Sequence, residues 1–227
     1  MTRTIPVGVD LKQQLKEHAA QFRERMAAQG TLVVNLVSSP GAGKTLLLER
    51  TAIALGEQLS LAVLVGDLAT DRDAERLAPY VAVRQLTTGG ACHLEIPLVE
   101  AGFELLENQQ PDILFIENVG NLVCPASHDL GEHLRVVLLS VTEGDDKPGK
   151  YPKMYRTSDA LIISKIDLLP YVPFDVAFAE QDARTIQPDL RTLSVSAVTG
   201  AGVDDWCQLL MQAHEQLKHG SAASHVS

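Results

Sequence analysis

The segment Ser38-Ser39-Pro40-Gly41-Ala42-Gly43-Lys44-Thr45 places two glycines, a lysine and a hydroxyl where a chain can wrap a phosphate. Gly41 and Gly43 let the backbone around Ala42 curl with its N–H groups inward, Lys44 can reach the β- and γ-phosphates, and Thr45 offers a hydroxyl to Mg²⁺. The usual G-x-x-x-x-G-K-[ST] pattern has Gly where this chain has Ser38, a residue that can still make the strand-to-loop turn. The chemistry implied is binding of a nucleoside triphosphate.

Acids suited to hold Mg²⁺ or orient water follow in order. The apolar run Leu61-Ala62-Val63-Leu64-Val65 ends at Gly66-Asp67, and Ile113-Leu114-Phe115-Ile116 ends at Glu117. Ligands of open α/β sheets collect at the carboxyl ends of the strands, so Asp67 and Glu117 are candidate Mg²⁺ ligands together with Thr45. Asp71 is a weaker candidate for orienting water, and Gly120 lets a backbone N–H approach the γ-phosphate. Lys44, Asp67, Asp71 and Glu117 form the candidate catalytic set.

The base is read further along. Ala160-Leu161-Ile162-Ile163 leads into Ser164-Lys165-Ile166-Asp167, close to the N-K-x-D pattern of guanine readers, with Ser164 in the Asn position. The Asp167 carboxylate can accept from N1–H and from the exocyclic amine of guanine, a donor pair adenine lacks, while Lys165 lies along the base plane. Ser196-Ala197-Val198-Thr199-Gly200 supplies main-chain donors behind the ring. GTP and GDP are the expected nucleotides.

These positions need strands that end at one edge of a sheet, with helices between them. The pattern predicts an α/β P-loop fold, a mostly parallel sheet of about seven strands flanked by helices on both faces. Leu11, Leu15, Ala19, Phe22 and Met26 predict an amphipathic helix from Asp10 to about Ala28, with Asp10 and Gln13 as a capping box, packed on the core edge. Residues 1–30 are assigned to this helix, 31–219 to the nucleotide domain and 220–227 to a loose tail. Thr142 to Lys150 is expected as a mobile loop, and Val203 to about Leu217 as a closing helix in which Cys207 is a buried bystander. Cys92 and His93 fall at a loop–helix junction after the Gly89-Gly90 pair, and Cys124 lies just beyond Glu117.

Bulk properties narrow the class. With 45% hydrophobic residues among 227, the chain can bury a substantial core, and 19 basic against 29 acidic residues, with no basic cluster, argue against a nucleic-acid surface. Three cysteines do not suit a disulfide framework, and no apolar run approaches the ~20 residues of a membrane span. A cytoplasmic protein is expected.

The ordered combination of Ser38 to Thr45, Gly66-Asp67, Cys92-His93-Leu94-Glu95, Glu117 to Pro125 and Lys165 to Pro170 closely resembles the HypB family of GTPases, which assist nickel insertion into [NiFe]-hydrogenase and are related to UreG. The resemblance implies a homodimer promoted by GTP, with Cys92, His93 and Cys124 holding Ni²⁺ or Zn²⁺ at the subunit interface. It also implies a HypA-like maturation partner and the hydrogenase large subunit as recipient. Thiolate and imidazole suit either ion. His128 and His133 are expected at the surface, with an auxiliary ligand role left open. The competing readings are a related GTPase serving urease or a cobalamin enzyme, and a nucleotide-gated scaffold with structural cysteines.

Overall fold

The computed structural model describes residues 7–67, 72–106 and 110–224, without the side chains of residues 7–10, 67 and 221–224. Among these, the strands are β1 (Leu32–Ser38), β2 (Leu61–Asp67), β3 (Ala82–Thr87), β4 (Ile113–Glu117), β5 (Leu134–Ser140), β6 (Ala160–Ser164) and β7 (Arg191–Val195). The helices are α1 (Val7–Ala28), α2 (Lys44–Leu55), α3 (Arg72–Leu77), α4 (Ile96–Glu104), α5 (Lys147–Lys150), α6 (Pro152–Arg156), α7 (Val176–Ile186) and α8 (Val203–Ser224).

One seven-stranded sheet runs in the order β3-β2-β4-β1-β5-β6-β7 with every pairing parallel. Every residue of β1, β4 and β6 is buried, which explains why these strands are near-continuous apolar runs: helices cover both faces of a parallel sheet. Alternate residues divide the core. Val34, Leu36, Phe115, Leu138 and Ile162 pack with α2 and α8 around the buried Trp206. On the opposite face Val33, Leu64, Leu114 and Ile116 meet Phe22 and Met26 of α1 and Val99 of α4, while Val137, Leu161 and Ile163 meet α6 and α7.

Because the chain leaves β1 toward β2 on one side and later passes from β4 to β5 on the other, its direction reverses at the central strand. The carboxyl ends of β1, β2 and β4 therefore share one crevice, the usual location of a ligand in such sheets.

Three local expectations are corrected. Helix α1 starts at Val7, so Asp10 lies inside it and does not cap it; Ala19, Phe22 and Met26 are buried, but Leu11 is 57% exposed beyond the sheet. The end of the segment expected as a mobile loop, Thr142 to Lys150, forms α5, whose Gly149 N–H donates to Asp182 on α7 at 2.7 Å. Pro148 and Pro152 explain the difference, since proline in the first helical turn starts a helix although its composition suggests a loop. Helix α8 continues past Leu217 to Ser224, and residues 225–227 of the expected tail lie outside the described residues. No helix among the described residues is long and apolar enough to cross a membrane.

Candidate functional site

After β1 the backbone turns at Gly41 (φ 74°) and Gly43 (φ 100°), both left-handed conformations that favour glycine. Helix α2 then begins at Lys44 with no side-chain cap, so its first N–H groups face the loop, where an anion is favoured. The Lys44 ammonium donates to Ser38 Oγ at 3.0 Å, and Ser38 Oγ donates to the Ser39 carbonyl at 2.6 Å. The serine that replaces the pattern's glycine thus fits the turn and steadies the lysine.

Thr45 Oγ1 donates to Glu117 Oε1 at 2.8 Å, which brings the carboxyl end of β4 against the start of α2. A cavity of about 360 Å³ opens beside them, lined by Gly41, Gly43, Lys44, Thr45, Glu117 and Gly120 among others. Gly120 crosses the phosphate loop so closely that a Cβ there would lie 2.8 Å from Pro40 Cα. Asp73 and Arg76 of α3 also line this cavity, with Arg76 held by Glu49 at 2.6 Å. Asp67 closes β2 at the same edge, but its side chain and all of Asp71 lie outside the described residues.

A second cavity, of about 230 Å³, adjoins the first at Gly43 and Leu46 and is lined by Lys165, Asp167, Leu168, Ala197 and Val198. Lys165 takes φ 60°, a rare conformation for a residue with a side chain, and its Cε lies 3.9 Å from where a Gly43 Cβ would stand. Ser164 Oγ donates to the Ala42 carbonyl at 2.7 Å, so the base loop is tied to the phosphate loop with Ser in the Asn position. Ser196 Oγ donates to Asp167 Oδ1 at 2.5 Å and accepts from the Thr199 N–H at 3.2 Å. Arg50 of α2 donates to the Ala197 carbonyl at 2.9 Å, which fixes the loop behind the base cavity.

Cys92 and His93, on the loop between β3 and α4, meet Cys124, beyond β4. The two sulfurs lie 2.8 Å apart, Cys92 Sγ is 3.8 Å from His93 Nδ1, and the three ligand atoms all fall within 4.8 Å of one another. The Cys124 sulfur pushes the Cys92 thiol pKa up, and burial with the neighbouring His128 pulls His93 down, which favours the neutral, ligand-ready imidazole. Two thiols and an imidazole are a donor set for borderline-soft ions such as Ni²⁺ and Zn²⁺, whereas the hydroxyl and carboxylate of Thr45 and Glu117 suit Mg²⁺. Cys207 stands apart in α8, where burial raises its thiol pKa to about 11.

Short contacts join the two regions. Glu117 touches Thr45 at one end of a short segment, Gly120 packs on Pro40, Asn121 Nδ2 donates to the Cys92 carbonyl at 3.2 Å, and Cys124 reaches Cys92 at the other end. From β2, a Cβ on Gly66 would collide with the buried Leu94, next to His93.

The structure adds residues the motifs did not indicate. Asn118 donates to Asn35 at 3.3 Å, Asn35 donates to Glu132 at 3.1 Å, and Glu132 pairs with Arg135 at 2.5 Å inside the protein. Arg135 also donates to the His128 carbonyl at 2.7 Å. His128 is half-buried and stacks on His93 with ring centroids 3.8 Å apart, and His133 accepts the Val33 N–H through Nδ1 at 3.0 Å. Neither histidine is the freely exposed side chain expected.

A glycine loop at the carboxyl end of the central parallel strand, with a second cavity beyond its helix start, defines the class of P-loop nucleotide-binding domains. Residues 32–194 match the family described as CobW/HypB/UreG, nucleotide-binding domain, and the chain belongs to that family on its HypB branch. It is 47% identical over 206 residues to the hydrogenase maturation factor HypB of Azotobacter chroococcum mcd 1, a match covering 90% of this chain and 68% of the relative. The crystal structure of HypB from Helicobacter pylori in complex with nickel superposes with a TM-score of 0.85 at 40% identity, covering 89% of this chain and 96% of that one. The hydrogenase maturation factor HypB of Archaeoglobus fulgidus gives a TM-score of 0.82 at 36% identity, covering 89% and 99%.

Proposed function

We propose that the chain is a GTP-hydrolysing metallochaperone that assists nickel insertion into [NiFe]-hydrogenase. The observation that carries this reading is the segment from Glu117 to Cys124, whose first residue accepts the Thr45 hydroxyl and whose last lies against Cys92. A change at the γ-phosphate therefore has a short covalent route to the thiol–imidazole cluster.

In hydrolysis, water attacks the γ-phosphorus in line, the bond to the β–γ bridging oxygen breaks, and GDP departs with that electron pair. Lys44 and the amides around Gly41, Ala42 and Gly43 neutralise the charge that develops. Thr45 and Glu117 would hold Mg²⁺, which would supply positive charge against the phosphates. Asp67, with Asp71 second, is assigned to orient the water, and Gly120 presents its N–H toward the γ-phosphate. Lys165, Asp167, Ser196 and Ala197 read guanine.

Nickel is the cargo, held by Cys92, His93 and Cys124. Val123, 61% exposed beside Cys124, suits contact with a second copy of the chain, and GTP would promote that homodimer. Relatives described as hydrogenase maturation factors support a role in hydrogenase maturation, and a HypA-like partner with the hydrogenase large subunit as recipient belongs to the same proposal. Equilibrium dialysis against Ni²⁺ or Zn²⁺ tests the cargo site: the Cys92→Ala/Cys124→Ala variant is expected to bind the ion much more weakly than the unaltered chain. Unchanged binding would overturn the assignment and leave a nucleotide-gated scaffold with structural cysteines.

A further inference from the structure

We propose that His93, Glu95 and His128 form a second, nitrogen–oxygen ligand set for a divalent cation, adjoining the thiolate set and sharing His93 with it. Ligand atoms of these three residues all lie within 4.8 Å of one another. The inference deepens the cargo reading in making His93 common to both sets, while the second set stands on its own geometry.

The hydrogen bonds of the two rings prepare the donors. His128 Nδ1 lies 2.8 Å from the Cys124 carbonyl, so that nitrogen carries the proton and Nε2 keeps the lone pair. A ring N–H anchored on a backbone carbonyl is the usual support of a metal-binding histidine. His93 Nε2 is buried with no hydrogen-bond partner, and Glu95 Oε1 stands 3.6 Å from it. The opposite nitrogen, Nδ1, faces Cys92. A cavity of about 350 Å³ opens beside Glu95 and His128, lined also by Asp129 and by Lys12, Lys16 and Lys153.

Sharing one imidazole has a chemical consequence. A neutral histidine has a single lone-pair nitrogen, so His93 serves the sulfur set through Nδ1 or the nitrogen–oxygen set through Nε2. The two sets are alternatives at this residue, and an ion leaving the thiolates meets the harder imidazole and carboxylate donors, which also accept Ni²⁺. Closing the second set asks for side-chain rotation of His93 and Glu95 in the loop before α4.

The test is Ni²⁺ titration of the full chain followed by calorimetry and absorption. The Cys92→Ser/Cys124→Ser variant is expected to keep about one equivalent of Ni²⁺ without a sulfur-to-nickel charge-transfer band, and adding His128→Phe to lower that affinity at least about tenfold. His128→Phe alone should keep the band. A Cys92→Ser/Cys124→Ser variant that binds no Ni²⁺, or binds it with an affinity unmoved by both His128→Phe and Glu95→Gln, overturns the proposal. Absence of the band in the unaltered chain would count against the thiolate cargo site instead, so the two failures are distinguishable.

Discussion

Ser164 Oγ donates a 2.7 Å hydrogen bond to the Ala42 carbonyl, joining the strand that leads to Asp167 with the glycine loop after β1. The bond is buried, and its geometry sets the separation of the two nucleotide cavities, which share Gly43 and Leu46. A Ser164→Ala variant loses this tie and leaves a buried carbonyl without it, a cost of about 1 kcal/mol. GTP and GDP should each bind roughly fivefold more weakly, read by displacement of a fluorescent nucleotide; unchanged affinity would contradict the role.

Asp167 is held by Ser196 at 2.5 Å in the smaller cavity. Exchanging its carboxylate for an amide in Asp167→Asn replaces an acceptor with a donor opposite the guanine amine. GTP affinity should fall more than about 100-fold, and xanthosine triphosphate should become the better ligand. Competition between the two nucleotides measures the switch, and retention of full GTP preference would refute the base assignment.

Glu132 and Arg135 form an ion pair that is nearly fully buried, at 2.5 Å, with Asn35 and the His128 carbonyl completing its hydrogen bonds. Glu132→Ala leaves the guanidinium buried without its carboxylate and should cost about 3–5 kcal/mol in urea unfolding. Glu132→Gln/Arg135→Met, which removes both charges, should recover part of that loss. A single-variant cost below about 1 kcal/mol would show that the pair is not structurally important.

Burial, with the Arg23 guanidinium nearby, lowers the His133 pKa from its ordinary 6.5 to about 4. The unfolded chain then takes up a proton before the folded one as pH falls, so this contribution to stability is complete above pH 6.5 and is lost between 6.5 and 4. Its size is about 2 kcal/mol after allowance for solvent screening. Denaturant midpoints should fall between about pH 7 and pH 5, and His133→Asn should flatten that fall; an equal slope in the variant would contradict the assignment.

The candidate nucleotide site was legible in the sequence because its loop is local: Gly41, Gly43, Lys44 and Thr45 are consecutive or nearly so, and the strand-ending acids announce one sheet edge. Apolar runs likewise marked β1, β4 and β6, since burial on both faces leaves little room for polar residues. What escaped was set by partners distant in the chain. Whether Ser164 could stand in for Asn depended on the Ala42 carbonyl, and Glu132 acquired its meaning from Asn35 and Arg135 together. His128 looked like a surface residue until folding stacked it on His93. Helix α5 was concealed by the loop-like composition around Gly144 and Pro148.

The most direct test of the proposed coupling between nucleotide and metal is the Ni²⁺ affinity of the full chain, measured with Mg²⁺ and either GDP or a non-hydrolysable GTP analogue bound. Because Glu117 and Cys124 bound one short segment, the two affinities should differ at least about fivefold, a coupling free energy near 1 kcal/mol. Equal affinities in the two nucleotide states would contradict it.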